Sequence, residues 1–267
     1  MEIRRISDEL YHHGIKGQEW GVKHGPPYPL GYSQLVKAGY LNDKQKRQLN
    51  KLTNKNGDYV IKKGTEFSRV TTNKNESDKG SKYMSFLDDD KNTYRYDFSH
   101  NLDGNIYEDI YKSKKDILVA SHERTISTVL DKIGNKKVSD IMSEKDLTWE
   151  KKTTSGYLAK DAFNKVKDKT LKDFYKDIET PNSPGKDLIQ EKENRDLANN
   201  YVRIGSRILN KTLYEKTEVR EATISELKKQ GYNAMVDIED AFGYSTLPLI
   251  TFDDDLKKVK QKVLYEK

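Results

Sequence analysis

Short β-prone segments stand towards both ends of this chain, and a long helical stretch separates them. The early segments are at 59–61, 66–70 and 82–86, and the late ones are at 233–238 and 247–252. Only 34% of the residues are hydrophobic, and another 34% are charged. So polar a chain buries enough apolar area only if its early and late strands share one core. The sequence therefore predicts an α+β fold that joins distant segments.

The apolar side chains of this predicted core come from both groups of strands. Because neither group is apolar enough alone, we expect them to be buried together. They are Tyr59, Ile61, Phe67, Val70, Met84, Phe86, Met235, Val236, Leu249 and Phe252.

The remaining elements follow from residue spacing. Three further strands are expected at Thr93–Phe98, Ile106–Tyr111 and Asp116–Ala120. Apolar residues then recur at helical spacing, and a last helix reaches Gly231, a typical C-terminal cap. The expected helices are one or two within 33–52, then 121–133, 155–178, 186–210 and 223–231.

The first 31 residues have a different character. Glycines and prolines interrupt any helix there, so we predict a docking arm and linker at 1–31. Within Tyr11–Lys23, Trp20 is a large anchor of the kind that dominates small interfaces. The remainder, 32–267, is predicted to be one α+β domain with a helical insertion at about 121–211.

The string His-His-Gly-Ile-Lys-Gly-x-x-Trp-Gly-Val, which begins at His12, resembles an element of phage and prophage proteins of Gram-positive bacteria. Such proteins are often encoded in the head-morphogenesis region. The resemblance implies that His12, His13 and Trp20 bind a phage structural protein. It also implies that the chain is found in the host bacterial cytoplasm or in the virion.

Composition narrows the classes of partner. No run approaches the roughly 18 apolar residues of a membrane helix, and Met1–Arg5 is not followed by a signal-peptide core. The chain has no Cys, which excludes disulfides and thiolate sites. Its net charge of +6 is distributed among interleaved acids and bases. We therefore expect no membrane partner and no specific nucleic-acid partner.

Two regions, 62–86 and 231–253, together resemble the split β core of mono-ADP-ribosyltransferase-like domains. That family holds NAD in a cleft between two small sheets. Its arginine-type members carry an Arg on an early strand, a Ser-containing strand in the middle and a catalytic Glu near the last strands. The resemblance implies NAD as cofactor, with Arg69 holding its diphosphate and Ser85 on the ribose-facing strand.

The catalytic carboxylate is where this chain departs from that family. Related sequences have an acidic residue immediately before the last apolar strand, but Ser245-Thr246-Leu247 stands here. Glu239 or Asp237 would replace it only through an excursion of the loop. Two functions therefore remain open. The domain either transfers ADP-ribose from NAD to a host target or serves as a non-catalytic scaffold in a phage structural or assembly protein.

Structural alternatives exist for each of these residues. Arg69 could be a surface arginine paired with Glu66 or Asp97, Ser85 an ordinary strand residue, and Asp237 and Glu239 part of a solvated loop. We expect His100 and His122 to be polar surface groups. The run Asp88-Asp89-Asp90 is expected to be a turn, and the arm histidines lack the spacing of a metal site.

Overall fold

The structure, a computed structural model, describes residues 43–75, 81–89, 94–101, 104–146, 156–179, 204–205, 207–237 and 245–266. These residues divide into two compact units. Unit 1 contains the described residues within Tyr40–Thr125 and Ile224–Lys267, and unit 2 contains those within Ile126–Thr223.

Unit 1 is built on an eight-stranded sheet. Its strands are β1 (Tyr59–Ile61), β2 (Glu66–Thr71), β3 (Lys82–Phe86), β4 (Ile106–Ser113), β5 (Ile117–Ala120), β6 (Ala234–Val236), β7 (Leu249–Thr251) and β8 (Leu256–Tyr265). They lie in the order β1-β5-β6-β7-β3-β2-β4-β8. Every pair in this described sheet is antiparallel except β5 with β6. The predicted mixture of helices with a largely antiparallel sheet is therefore confirmed.

Strand β3 is shared between two parts of this sheet. Its residues Lys82–Met84 pair with β7, whereas Ser85 and Phe86 pair with Ser68 and Phe67 of β2. Beyond Ser68, β2 and β3 separate, so the sheet forks there. We call this point the fork.

The predicted core is confirmed. All of its apolar side chains are buried, with exposed fractions between 0% and 9%. The rings of Phe67 and Phe86 stack across β2 and β3, with centroids 5.7 Å apart. Each such side chain contributes roughly 1.5–3 kcal/mol on burial. Early and late strands therefore stabilise each other as the polar composition requires.

The helices with defined bounds are α1 (Asp43–Leu52), α2 (Tyr94–Asn101), α3 (His122–Ile133), α4 (Val138–Ile141), α5 (Gly156–Val166), α6 (Leu171–Glu179) and α7 (Thr217–Lys229). The predicted strand Thr93–Phe98 is wrong, because α2 occupies this position and packs against β2, β4 and β8. The predicted helix 155–178 is instead two helices. Between them the chain leaves the helical conformation, and Thr170 starts the second helix. Its hydroxyl accepts a hydrogen bond from the N–H of Asp173 at 3.1 Å and so caps α6.

Helix α7 begins six residues earlier than the sequence predicted but ends as expected. Gly231 has a φ of +91°, a backbone conformation that residues other than glycine adopt only with strain. The N–H of Tyr232 then returns to the carbonyl of Leu227 at 3.0 Å. This is the glycine-capped helix end that the sequence indicated.

Unit 2 is helical. Its buried side chains include Phe163, Leu171, Phe174, Ile208 and Leu213. A π-helical turn at Lys211–Glu215 follows helical residues that end at Asn210, and the Lys211 ammonium lies 2.7 Å from the Asp146 carboxylate. Of the helix predicted at 186–210, residues 186–203 and 206 lie outside the described part of the chain.

Candidate functional site

Arg69 lies at the fork. It directly follows Ser68, the last residue of β2 that pairs with β3, and its Nη1 donates to the carbonyl oxygen of Tyr83 at 3.3 Å. Glu66, one of the carboxylates considered for Arg69, lies 3.7 Å from the Lys112 ammonium. Arg69 therefore bridges the two strands where they diverge.

Ser85 and Asp237 share one face of the sheet. Val236, Leu249 and Met84 are cross-strand neighbours, so their side chains share a face. Since side chains alternate along a strand, Asp237 and Ser85 both lie on the opposite face. They are separated by about two strand spacings, roughly 9.5 Å. The structure thus brings together two of the predicted site residues.

Ser68 extends this face as the direct neighbour of Ser85. The Ser85 hydroxyl donates to the carbonyl of Ser68 at 3.4 Å, and the Ser68 hydroxyl donates to Glu108 at 2.5 Å. Arg95 of α2 donates to the same oxygen of Glu108 from Nε at 2.8 Å. We call Asp237, Ser85, Ser68 and Glu108 the polar row.

The polar row is buried, with each member at most 2% exposed. Asp237 is therefore not in a solvated loop, which corrects that alternative. It follows β6, and its N–H donates to the carbonyl of Pro248 at 2.9 Å. This contact brings a carboxylate beside the residue that precedes β7. The other predicted carboxylate, Glu239, lies outside the described residues, as do His12, His13 and Trp20.

Ser68, Glu108 and Arg95 were missed by the sequence reasoning. The one sequence feature that indicated them was the pair Glu108-Asp109, in the middle of a predicted strand whose other residues are apolar or aromatic. Adjacent acids in a strand whose two faces are both covered require partners on both faces. The Arg95 contact gave no signal, because its segment was assigned to a strand.

Asp109 is the counterpart of Glu108 on the other face of β4. It is fully buried, and its carboxylate lies 2.7 Å from the Lys258 ammonium and accepts from Gln261 Nε2 at 2.7 Å. Arg69 is its direct cross-strand neighbour on β2. Pleat alternation accordingly puts Arg69 on the face opposite Ser68 and Ser85.

Thr246 lies within Ser245-Thr246-Leu247, the segment in which the resemblance would place an acidic residue. It is buried, and Asp89 accepts hydrogen bonds from its N–H at 2.5 Å and from its hydroxyl at 2.6 Å. Asp89 therefore stabilises the passage into β7. The predicted turn at Asp88-Asp89 is consistent with this arrangement, since the Asp89 N–H donates back to the Phe86 carbonyl at 3.3 Å.

A second buried polar cluster lies near the start of α3. Asp58 accepts from the Tyr232 hydroxyl at 2.6 Å and from Arg124 at 3.3 Å. Burial and the bond to Asp58 raise the pKa of Tyr232 to about 12, so the phenol remains protonated. His122 is fully buried, which corrects its expected surface position. This burial lowers the pKa of His122 to about 3.

The described residues do not fit NAD in the way that the resemblance implies. Arg69 and Ser85 lie on opposite faces, and an anion held by Arg69 would lie beside the carboxylate of Asp109. Ser85 and Asp237 share a face, but both are buried. We therefore derive no transfer chemistry from these side chains.

Compared with known protein families, with curated proteins and with solved structures, the chain has no match in any of the three. Within the described ranges, no helix has the length and apolar character needed to cross a membrane.

Proposed function

We propose that this chain is a phage- or prophage-encoded structural or assembly protein in which unit 1 is an ADP-ribosyltransferase-like fold used as a scaffold. Support for the fold comes from the fork, because a strand divided between two sheet parts is what a split β core requires. Fold alone does not define activity. The choice between transfer and scaffold depends on the site.

One observation carries the scaffold function. Ser245-Thr246-Leu247 stands where the resemblance would place a catalytic acid, and Asp89 accepts hydrogen bonds from both donors of Thr246. Electrostatic stabilisation of a developing cation needs a charge aimed at it, which a threonine does not supply. The polar row in turn uses its hydroxyls and the Glu108 carboxylate in internal hydrogen bonds.

Calorimetry with NAD and a nicotinamide-release assay on the full chain test this function. We expect no binding heat at millimolar NAD and no release of nicotinamide. Saturable binding without release would still agree with a scaffold derived from an NAD-binding fold. Release above the rate without protein would overturn the proposal.

ADP-ribose transfer to a host target is the second candidate function. The common face of Asp237 and Ser85 is the observation on its side, although both side chains are buried. If nicotinamide is released, Asp237→Asn and Glu239→Gln show which of the two carboxylates is needed, because each substitution keeps the size of the side chain and removes its charge. The variant that abolishes turnover identifies the catalytic carboxylate. Arg69→Ala and Ser85→Ala then test the predicted NAD contacts through binding affinity.

Partner binding by the arm is the other half of the proposed function. Trp20→Ala should weaken binding to a phage structural protein by about 2 kcal/mol or more if Trp20 is an anchor. His12→Ala and His13→Ala test the other predicted contacts. Each variant would be used as bait for co-purified phage virion proteins, with Trp149→Ala, at the chain's other tryptophan, as the matched control. Equal capture by all variants would exclude the arm as the docking element.

A further inference from the structure

Strand β8 presents a row of lysines and a tyrosine on one face at the edge of the unit 1 sheet. Its residues Lys257, Lys260, Lys262 and Tyr265 pair with Lys112, Ile110, Glu108 and Ile106 of β4, respectively. These β4 residues alternate, so the four side chains of β8 stand on the same face. We call them the β8 basic face.

The carboxylates of the described residues cancel little of the positive charge on the β8 basic face. Three of the four lysines of Leu256–Tyr265 stand on this face, and the strand contains no acidic residue. Lys257 and Lys260 are exposed and form no ion pair with any described residue. Glu108 lies 3.9 Å from Lys262, but its other oxygen already accepts from Arg95 and Ser68. Within the described part of the chain, most of the positive charge of this face is therefore not neutralised.

Protection of the sheet edge accounts for only part of this pattern. Lysines and bulges on an edge strand prevent pairing with another chain, and β8 has register shifts opposite Ile106/Tyr107 and Ile110/Tyr111. Such an edge is a poor template for an added strand. Protection does not explain Tyr265, which stands on the β8 basic face and is 46% exposed.

We propose that the β8 basic face binds single-stranded nucleic acid without sequence preference. Lys260 and Lys262, two residues apart on a strand, stand about 6.6 Å apart and can follow an extended phosphate backbone. Tyr265 adds a flat surface on which a base can stack, and stacking tolerates any base. Cationic side chains beside an exposed aromatic ring are the combination that such sites use. Charge complementarity alone would also fit an acidic protein, but that partner needs no ring.

Fluorescence anisotropy with a labelled oligothymidine of about 20 nucleotides, longer than the site of one small domain, tests the proposal on the full chain. The double variant Lys257→Gln/Lys260→Gln should bind at least tenfold more weakly. The slope of log affinity against log salt should fall by about 1 for each lysine that contacts a phosphate. Both side chains are exposed, so the variant should unfold at the same temperature as the wild type.

The matched control is Lys51→Gln/Lys55→Gln, which removes the same charge from two other exposed lysines of unit 1. It should retain nearly all of the affinity. Equal losses in the two double variants would mean that only net charge matters, and would overturn the assignment to β8.

Variants at Tyr265 distinguish binding of nucleic acid from binding of other polyanions. Tyr265→Ala should weaken oligothymidine binding at least fivefold, and Tyr265→Phe should preserve it, because both aromatic rings stack. Heparin has no bases, so its binding should not depend on Tyr265. Loss of heparin and oligothymidine binding to the same extent would overturn the proposal. Competition by polyglutamate as effective as that by oligothymidine, or dimers that these lysine changes disrupt, would also overturn it.

Discussion

Asp89 binds Thr246 through two hydrogen bonds, from the N–H at 2.5 Å and from the hydroxyl at 2.6 Å. Asp89 follows β3 and Thr246 precedes β7, and these two strands are hydrogen-bonded neighbours. One carboxylate therefore fastens the ends of two strands that lie far apart in sequence. Because both residues are buried, the contact contributes to the stability of the fork.

Asp89→Ala should lower the free energy of unfolding by about 3 kcal/mol. It removes two bonds to a charged acceptor and leaves a buried N–H without its partner. Asp88→Ala is the control, because Asp88 is exposed and should change stability by less than about 0.5 kcal/mol. Urea unfolding followed by circular dichroism measures both. If Asp89→Ala lowers the free energy of unfolding as little as Asp88→Ala does, Thr246 finds another acceptor in the variant.

Tyr232→Phe tests the bond between Tyr232 and Asp58. The variant keeps the ring and removes a donor that lies 2.6 Å from a buried carboxylate, so we expect a loss of about 1.5–3 kcal/mol. Tyr265→Phe removes a hydroxyl from an exposed ring and should have almost no effect. Thermal unfolding of both variants against the wild type gives the comparison. If Tyr232→Phe leaves the stability unchanged, Arg124 rather than Tyr232 stabilises the buried carboxylate of Asp58.

His122 should make the protein less stable in acid. Burial lowers its folded-state pKa to about 3, and its unfolded value is about 6.5. Between these values the unfolded chain binds the extra proton, so stability falls as the pH falls through this window. The slope approaches about 1.4 kcal/mol per pH unit.

His122→Gln removes this titration but keeps the carboxylates that also respond to acid. Unfolding free energies of the variant and the wild type at pH 7, 5.5 and 4.5 should therefore differ in slope. Parallel curves would show that His122 is accessible to protons in the folded chain.

Gly231→Ala should destabilise the protein by about 1–2 kcal/mol. The φ of +91° disfavours any side chain, while the space around the glycine is open, so the cost comes from the backbone alone. Ala222→Gly in the preceding helix tests local helix propensity and should cost only about 1 kcal/mol. Chemical denaturation compares the two. An unchanged Gly231→Ala variant would mean that the helix end shifts to another conformation.

The parts of unit 1 that the sequence predicted are those where local pattern and burial agree. The core strands and the end of α7 at Gly231 were predicted because apolar residues and a glycine cap act through short-range physics. The shared core of the early and late strands followed from the scarcity of apolar residues. In each case the local preference and the global packing favour the same structure.

The missed elements depend on tertiary contacts. Segment 93–98 alternates aromatic and polar residues as a strand does, but it forms α2, from which Arg95 reaches Glu108. Strand β8 was not predicted, because its two bulges interrupt the alternation and lysines cover its exposed face. The polar row was only partly anticipated. Ser85 and Asp237 were named, but their common face follows from a strand register that the sequence does not contain.

The fork also sets an order in which the chain can fold. The residues of β2 that pair with β3 are close to it in sequence, whereas more than half of the chain lies between β3 and β7. At the usual speed of synthesis, one side of β3 remains without its neighbour for on the order of ten seconds. Until β7 has been made, that side of β3 has unpaired backbone N–H and C=O groups. Because an unpaired strand edge favours pairing with other chains, this delay affects the yield of folded protein rather than its final stability.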